Sequence, residues 1–266
     1  MKKALSVLLV VVLLIGAISL FSACKTEKVV TVGYTIFEPM NYLDEDGKLV
    51  GFDTELAEKV FTNLGYQVIF KEIKWENKYT DLQSGTIDCI WNGFTANCAD
   101  DDDNVQRSEK VDFSYNYMEN RQVVVVKKNS GIASASDLAG KIGAAEAGSA
   151  GEGYAKDFKG TASIKAVLKQ TDALLEVNTG SADFAVLDTQ LAENYCGKGD
   201  YADLMIVEAL SGDVEFYAIG FNKGSKLTAK VNAQLEKLGA DGTISALAQK
   251  YGVELTAIID FSDQKK

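Results

Sequence analysis

A short apolar run at residues 87–91 ends abruptly at Asn92 and Gly93, and this break constrains the fold more than any other stretch. The run is typical of a buried strand, and the Asn-Gly pair favours a turn in which backbone amides point outward. Thr95 then adds a hydroxyl group, and Arg107 adds a permanent guanidinium cation. Neutral donors beside one cation predict a site for a small carboxylate. The alternative is a loop with an ordinary surface arginine.

The charge balance and the residue types present exclude several functions. The 266 residues carry a formal net charge of -11, which argues against a nucleic-acid partner. The sequence has no histidine, so Ser-His-Asp, Cys-His and His-ligated metal chemistry are excluded. The absence also weakens any proposal of general acid–base catalysis. We therefore expect no enzymatic activity, no cofactor and no metal.

The first 23 residues are typical of an export signal. Lys2 and Lys3 precede an uncharged apolar segment at 4–20, and small residues lead up to Cys24. This ending resembles a bacterial lipobox, in which Cys24 is lipidated and becomes the new N-terminus. It predicts a signal peptide at 1–23 and a palmitate-bearing lipoprotein anchored to the outer face of the cell membrane. The alternative is an uncleaved anchor, because about 17 apolar residues approach the lower limit for a membrane span.

The remaining cysteines leave two alternatives open. Cys89 and Cys98 bracket the turn after the apolar run, and export would permit a disulfide between them. Such a bridge would pin the loop beside the predicted carboxylate site and leave Cys196 unpaired. Three unpaired thiols are the other alternative. The spacing fits no zinc pattern.

Two acidic features are interpreted as structural. Asp53 stands at the start of a predicted helix, where a carboxylate favours N-terminal capping. Four aspartates at 100–103 are expected to be solvated, because like charges repel one another. Cation binding is the less favoured alternative, since the run lacks the spacing and the glycine of an EF-hand loop.

Three segments resemble the extracellular amino-acid-binding proteins of ABC importers, solute-binding protein family 3. The pattern around the first break reads D-x-I-x-x-G-x-T-x-T-x-E-R-x-x-x-V-x-F-S-x-P-Y, and residues 98–104 are an insertion in it. Residues 47–65 and 238–252 match two further segments, so the resemblance covers about residues 29 to 252. The first pattern is matched by Asp88, Gly93, Thr95, Arg107, Val111, Phe113, Ser114 and Tyr117.

The resemblance implies an α/β protein with the two-lobed, type II fold of periplasmic binding proteins. Two crossing strands would join the lobes, with the ligand cleft between them. Residues 29–122 and 221–262 would form lobe 1, residues 123–220 would form lobe 2, and residues 24–28 would be a tether.

The resemblance also implies a ligand site divided between the lobes. Phe37 would lay its ring over the ligand, and Arg107 would hold the carboxylate. A strand-to-helix turn in lobe 2 would offer free N–H groups, and Asp188 would hold the ammonium group. Each assignment has an alternative. Phe37 is then a core residue, the turn is an ordinary tight turn, and Asp188 is a helix N-cap. The full predicted set is Phe37, Asn92, Gly93, Thr95, Arg107, Gly148, Ser149 and Asp188.

The implied function is the binding component of an ABC transporter. It would bind a free amino acid by lobe closure and deliver it to the permease subunits, and we expect a monomer. An enzyme of the same scaffold, resembling cyclohexadienyl dehydratase, and a ligand-sensing module are the alternatives. The sequence does not define the side-chain pocket, although Glu119 favours a polar or cationic ligand over an acidic one. Further candidates for that pocket are Asn41, Tyr42, Trp91, Phe94 and Glu215.

Overall fold

The computed structural model describes residues 28–100 and 102–265. The predicted signal peptide and the lipidation site at Cys24 lie outside the described residues, as does Asp101 of the acidic run.

The secondary structure alternates between strands and helices. The strands are β1 (Lys28–Tyr34), β2 (Tyr42–Leu43), β3 (Leu49–Val50), β4 (Tyr66–Glu72), β5 (Cys89–Ile90), β6 (Asp112–Phe113), β7 (Met118–Asn120), β8 (Gln122–Lys127), β9 (Ile142–Glu146), β10 (Ser163–Val167), β11 (Phe184–Asp188), β12 (Leu204–Ile206), β13 (Glu215–Tyr217) and β14 (Gly220–Phe221). The α-helices are α1 (Phe52–Asn63), α2 (Lys78–Gln83), α3 (Arg107–Lys110), α4 (Ala150–Asp157), α5 (Gln170–Thr179), α6 (Thr189–Tyr195), α7 (Lys226–Ala240) and α8 (Thr243–Tyr251). Short 3₁₀ turns occur at Trp75–Asn77, Ala135–Leu138, Gly199–Tyr201, Glu208–Leu210 and Ser262–Gln264.

The first five-stranded sheet has the order β4-β1-β5-β14-β6. β1 runs parallel to β4 and β5, and β14 runs antiparallel to β5 and β6. Val30 and Val32 of β1 are fully buried and share a core cluster with Leu56 and Val60 of α1. The apolar stripe of α1 therefore covers one face of this sheet, as its helical spacing requires.

The second five-stranded sheet has the order β10-β9-β11-β8-β12. β9 runs parallel to β10 and β11, whereas β8 runs antiparallel to β11 and β12. Four consecutive valines of β8 are buried and alternate between two apolar clusters, with Val123 and Val125 in one and Val124 and Val126 in the other. A continuous apolar run is thus explained by burial on both faces of the sheet.

Two adjacent strands join the sheets. β7 pairs antiparallel with β13, so that Met118 faces Tyr217 and Asn120 faces Glu215. β7 leads into β8 of the second sheet, and β13 leads into β14 of the first. The carboxyl ends of β1 and β5 thereby face the carboxyl ends of β9 and β11, and ligands of open α/β sheets bind at such ends.

One expectation about a single residue is wrong in the structure, and one open alternative is decided. Asp53 is no cap, because α1 has Gly51 at its N-cap without a side-chain bond, and the Asp53 carboxylate accepts hydrogen bonds from Gly93 N–H and Tyr117 Oη–H. Of the two alternatives for the cysteines, the structure has the unpaired one: Cys89, Cys98 and Cys196 are free thiols. Cys89 points into the fully buried core, whereas the Cys98 Sγ lies 4.0 Å from the Thr95 carbonyl oxygen.

No helix within the described ranges combines the length and the apolar character needed to cross a membrane.

Candidate functional site

A small cleft lies where the two sheets face each other. Seven of the eight predicted site residues line it, and Gly148 does not. Its walls are formed by Thr35, Phe37, Trp75, Asn92, Gly93, Thr95 and Arg107 from the first side and by Glu146, Ser149, Ala150, Gln170 and Asp188 from the second.

Arg107 is buried and held rigidly at the start of α3. Its Nε donates to Asp100 Oδ1 at 2.8 Å, and its Nη1 donates to the Thr95 carbonyl oxygen at 3.1 Å. The Phe94 ring lies 5.1 Å from the guanidinium carbon, which is within cation–π range. Because a guanidinium has five N–H groups, these contacts leave others for a bound carboxylate.

Asp100 belongs to the insertion and is buried, not solvated as the sequence predicts. Lys110 Nζ donates to Asp100 Oδ2 at 2.7 Å, so one carboxylate joins two cations. Burial alone would raise the pKa of Asp100, but the Arg107 charge and the Lys110 hydrogen bond lower that pKa to about 2. Within the described residues, no cluster of acidic or cysteine side chains suited to a metal ion occurs.

Three predicted donors of the first wall are already bonded within the protein. The Asn92 side chain accepts from Thr35 N–H at 3.0 Å and donates to Asn41 Oδ1 at 2.7 Å. Gly93 N–H donates to Asp53 Oδ2 at 2.9 Å. The Thr95 hydroxyl donates to a carboxylate oxygen of Glu215 at 3.2 Å. Asn92 and Gly93 therefore shape the cleft, contrary to the expectation of outward amides, and Thr95 is free for a ligand only if it releases Glu215.

Phe37 combines the two roles that the sequence left open. Its ring is 2% exposed and packs edge-on against Tyr217, with centroids 6.4 Å apart. It also lines the cleft. A Cβ added to Gly93 would lie 2.5 Å from Phe37 Cε1, so the glycine makes room for the ring.

The turn of the second wall is a capped helix start. Ser149 is the N-cap of α4, and its Oγ accepts from Glu152 N–H at 3.0 Å. The Glu152 carboxylate in turn accepts from Gly148 N–H at 2.7 Å. The N–H group of Gly148 is therefore occupied, contrary to the prediction. Ala150 lines the cleft in the first helical turn, where amides lack intrahelical partners.

Asp188 ends β11 and is 6% exposed. Its carboxylate accepts hydrogen bonds from the neutral amides of Gln122, at 2.6 Å, and of Asn120 and Gln170. Burial raises the pKa of Asp188 in spite of these donors. It is the N-cap residue of α6 without a side-chain cap bond, so its carboxylate is directed to this amide cluster and not to the helix.

Known proteins resemble this chain over most of its length. The model for bacterial extracellular solute-binding proteins, family 3, matches residues 30–254. The chain belongs to that family.

Individual known proteins and solved structures resemble this chain in sequence and in fold. The arginine-binding extracellular protein ArtP of Bacillus subtilis is 28% identical over 81% of this chain and 82% of its own. A substrate-binding protein of an ABC uptake transporter from Streptococcus pneumoniae, solved with bound histidine, is 32% identical with a TM-score of 0.76, covering 87% of this chain and 95% of its own. The ancestral amino-acid-binding protein AncCDT-1, a precursor of cyclohexadienyl dehydratase, is 29% identical with a TM-score of 0.75, over 85% of this chain and 96% of its own. The two-lobed α/β fold and the family predicted from the sequence are confirmed.

This family 3 protein also has a buried lysine that was not predicted from the sequence. Lys78 begins α2 and is 2% exposed, and its Nζ donates to the Gly148 carbonyl oxygen across the cleft at 2.9 Å. The rings of Trp75 and Tyr79 lie 5.3 and 4.8 Å from this nitrogen. Burial and the Arg107 charge lower the pKa of Lys78 to about 7. Nothing in the local sequence distinguishes Lys78 from a surface lysine.

Two glutamates add acidic groups in the cleft or next to it. Glu215, on the crossing strand, accepts from Thr95, Asn120 and Gln122, and burial with the Asp188 charge raises its pKa. Glu146 ends β9, is 4% exposed and was not predicted as a site residue. By contrast, Glu119, which the sequence analysis linked to ligand polarity, is exposed and does not line the cleft.

Proposed function

We propose that this solute-binding protein is the substrate-binding component of an ABC importer and that its ligand is a free amino acid. The observation that carries the proposal is a buried guanidinium, Arg107, and a buried carboxylate, Asp188, on opposite walls of one small cleft. A zwitterionic amino acid presents the complementary pair of charges. The similarity to an arginine-binding protein and to a transporter protein solved with histidine supports this ligand class.

The two walls bind opposite ends of the ligand. Arg107 and the first-turn amide of Ala150 hold the carboxylate, Asp188 holds the ammonium group, and Phe37 packs against the ligand body. Each charge-assisted hydrogen bond contributes about 1.5–3 kcal/mol, and several together offset the cost of immobilising the ligand.

Lobe closure converts this binding into a signal for the permease. We assign residues 29–122 and 221–262 to lobe 1 and residues 123–220 to lobe 2, with the paired strands β7 and β13 as the hinge. A ligand that contacts both lobes favours the closed form, because only that form makes both sets of contacts. The permease would bind the closed monomer.

Isothermal titration calorimetry of the protein from residue 25 onward, against the twenty amino acids, tests the proposal. Arg107→Ala and Asp188→Ala should each abolish or strongly weaken binding. The exposed Arg121→Ala and Asp213→Asn are matched controls and should bind like the wild type. Wild-type affinity in both cleft variants, or no amino-acid binding at all, contradicts the proposal.

We also propose that Cys24 carries a lipid that anchors the protein to the outer face of the cell membrane. Export and a small-small-Cys ending in the sequence support this. Cells grown with labelled palmitate should label the wild type and not Cys24→Ala. Absence of label on the wild type, or equal label on both, rejects the anchor.

An enzyme on the same scaffold is the second candidate, favoured by one buried acid and by the likeness to AncCDT-1, a binding protein that is a precursor of a dehydratase. Burial and the charge of Asp188 raise the pKa of Glu146 to about 8, so a proton is available there at neutral pH. Incubating each bound ligand with the protein and analysing it by mass spectrometry discriminates the two functions. An unchanged ligand supports binding alone, and a dehydrated product supports the enzyme.

A further inference from the structure

Glu146 carries an oxygen atom that the fold leaves without a partner. Its Oε1 is buried and has no hydrogen bond within the described residues. Other atoms in the same condition belong to Asp53, Tyr79, Trp91, Thr228 and Gln234. None of those five residues lines the cleft, whereas Glu146 does. Buried polar atoms in native proteins are nearly always satisfied, so an unsatisfied carboxylate oxygen that lines a cavity is available to accept from a ligand group.

The charges in the cleft indicate what that group is. Arg107 and Asp188 match the carboxylate and the ammonium that every free amino acid carries. Glu146 then remains as an additional carboxylate on the second wall. Lys78, the cation across the cleft, is directed to the carbonyl oxygen of Gly148 at 2.9 Å. A donor on the ligand side chain is therefore needed, and a positively charged donor satisfies both the hydrogen bond and the charge.

We propose that Glu146 receives the ligand side chain and selects amino acids with a cationic side chain, such as L-arginine or L-lysine. This inference rests on the proposed function, because it concerns the same cleft. It adds the residue that selects the ligand, and the ligand class agrees with the similarity to an arginine-binding protein.

Binding of a cation should also displace a proton. Burial and the negative charges of Asp188 and Asp172 raise the pKa of Glu146 to about 8. The positive charges of Lys78 and Lys169 oppose this shift. Near pH 7 the unliganded carboxyl group is therefore mostly protonated. A bound guanidinium or ammonium favours the carboxylate, so the proton is released to the buffer.

The test compares charged and neutral ligands of similar shape on the wild type and on Glu146→Gln. L-Arginine is paired with L-citrulline, whose side chain ends in a neutral urea group. The wild type should bind L-arginine at least about tenfold more tightly than L-citrulline. Glu146→Gln should lose at least about tenfold in affinity for L-arginine and change little for L-citrulline. Glu119→Gln, an exposed glutamate outside the cleft, is the control.

Calorimetry at pH 7 in two buffers of different ionisation enthalpy supplies a second readout. The enthalpy of L-arginine binding should depend more strongly on the buffer in the wild type than in Glu146→Gln. The wild-type measurements test the idea even if the variant does not fold. Equal wild-type affinities for L-arginine and L-citrulline, or an unaltered L-arginine affinity in a folded Glu146→Gln, overturn this inference and leave the proposed function standing. Failure of every amino acid to bind overturns the proposed function itself.

Discussion

Arg107 Nε lies 2.8 Å from Asp100 Oδ1, and both side chains are buried. The contact joins the predicted ligand arginine to the insertion that precedes it in the sequence. Asp100 does not line the cleft, so it acts on the ligand through Arg107. The insertion therefore contributes to the site by orienting a guanidinium, even though the arginine stands farther from Thr95 than in the family pattern.

Replacing Asp100 should weaken ligand binding and stability together. Asp100→Asn removes the charge that holds Arg107, which should lower ligand affinity by about tenfold and the free energy of unfolding by about 1–3 kcal/mol. Calorimetry and urea denaturation measure the two effects. Asp102→Asn, an exposed neighbour in the same loop, should change neither. Full affinity in Asp100→Asn would show that Arg107 is oriented by other contacts.

The contact between Asp100 and Arg107 should make the stability of the protein depend on pH in acid. The pKa of Asp100 is about 2 in the folded protein against 3.8 without its partners, so its stabilisation is complete above about pH 4. It is lost as the pH falls from about 4 to 2. Urea denaturation over this range should show a smaller decrease in stability for Asp100→Asn than for the wild type, and parallel curves would contradict the assignment.

Titration of Asp53 should make the free energy of unfolding change with pH in the opposite direction near neutral pH. Burial raises the pKa of its carboxyl group from 3.8 to about 7, opposed by hydrogen bonds from Gly93 and Tyr117. The folded state then binds more protons than the unfolded state between about pH 4 and 7, so the free energy of unfolding falls as the pH rises through that window. The Asp53 contribution is on the order of 1–4 kcal/mol. Asp53→Asn should remove it, and Glu146 should account for much of the remaining slope up to about pH 8.

Replacing Lys78 should change lobe closure measurably. Its bond to the Gly148 carbonyl oxygen joins the two walls without a ligand. Lys78→Met keeps the aliphatic stem and removes the donor, which should make the unliganded protein more open and weaken ligand affinity about two- to tenfold. Small-angle X-ray scattering and calorimetry test this, with the exposed Lys74→Met as control. An unchanged radius of gyration together with an unchanged affinity would rule out a role for this bond in closure.

Gly93→Ala should disturb the ring that covers the ligand. The glycine has φ of +57°, and an added Cβ would lie 2.5 Å from Phe37 Cε1. We expect a loss of about 1–3 kcal/mol in unfolding free energy, with weaker ligand binding. Gly85→Ala has a similar φ of +73° but nothing within 4 Å of the added atom, so it reports backbone strain alone. Equal effects of the two substitutions on binding would contradict a specific clash with Phe37.

The sequence by itself determined the elements and the family. Strand signals at 29–33, 142–145, 164–167 and 184–188 correspond to β1, β9, β10 and β11. For β9 and β11 the signal is clear because burial on both faces of a sheet leaves a continuous apolar run in the chain. The position of Asp188 at the end of β11 was also predictable, since ligands of open α/β sheets bind at the carboxyl ends of strands. The position of Arg107 in the cleft was predicted from the family resemblance alone.

Only the tertiary structure decided which polar groups remain free. Asn92 and Gly93 look like ligand donors in the sequence, yet their hydrogen bonds are taken by residues about 40 to 57 positions away. Lys78, Asp100 and Glu146 resemble surface charges in their local context, and they become part of the site because distant strands and helices bury them. Hydrogen-bond partners and burial are set by packing between segments far apart in the chain, whereas local sequence sets the elements that are packed.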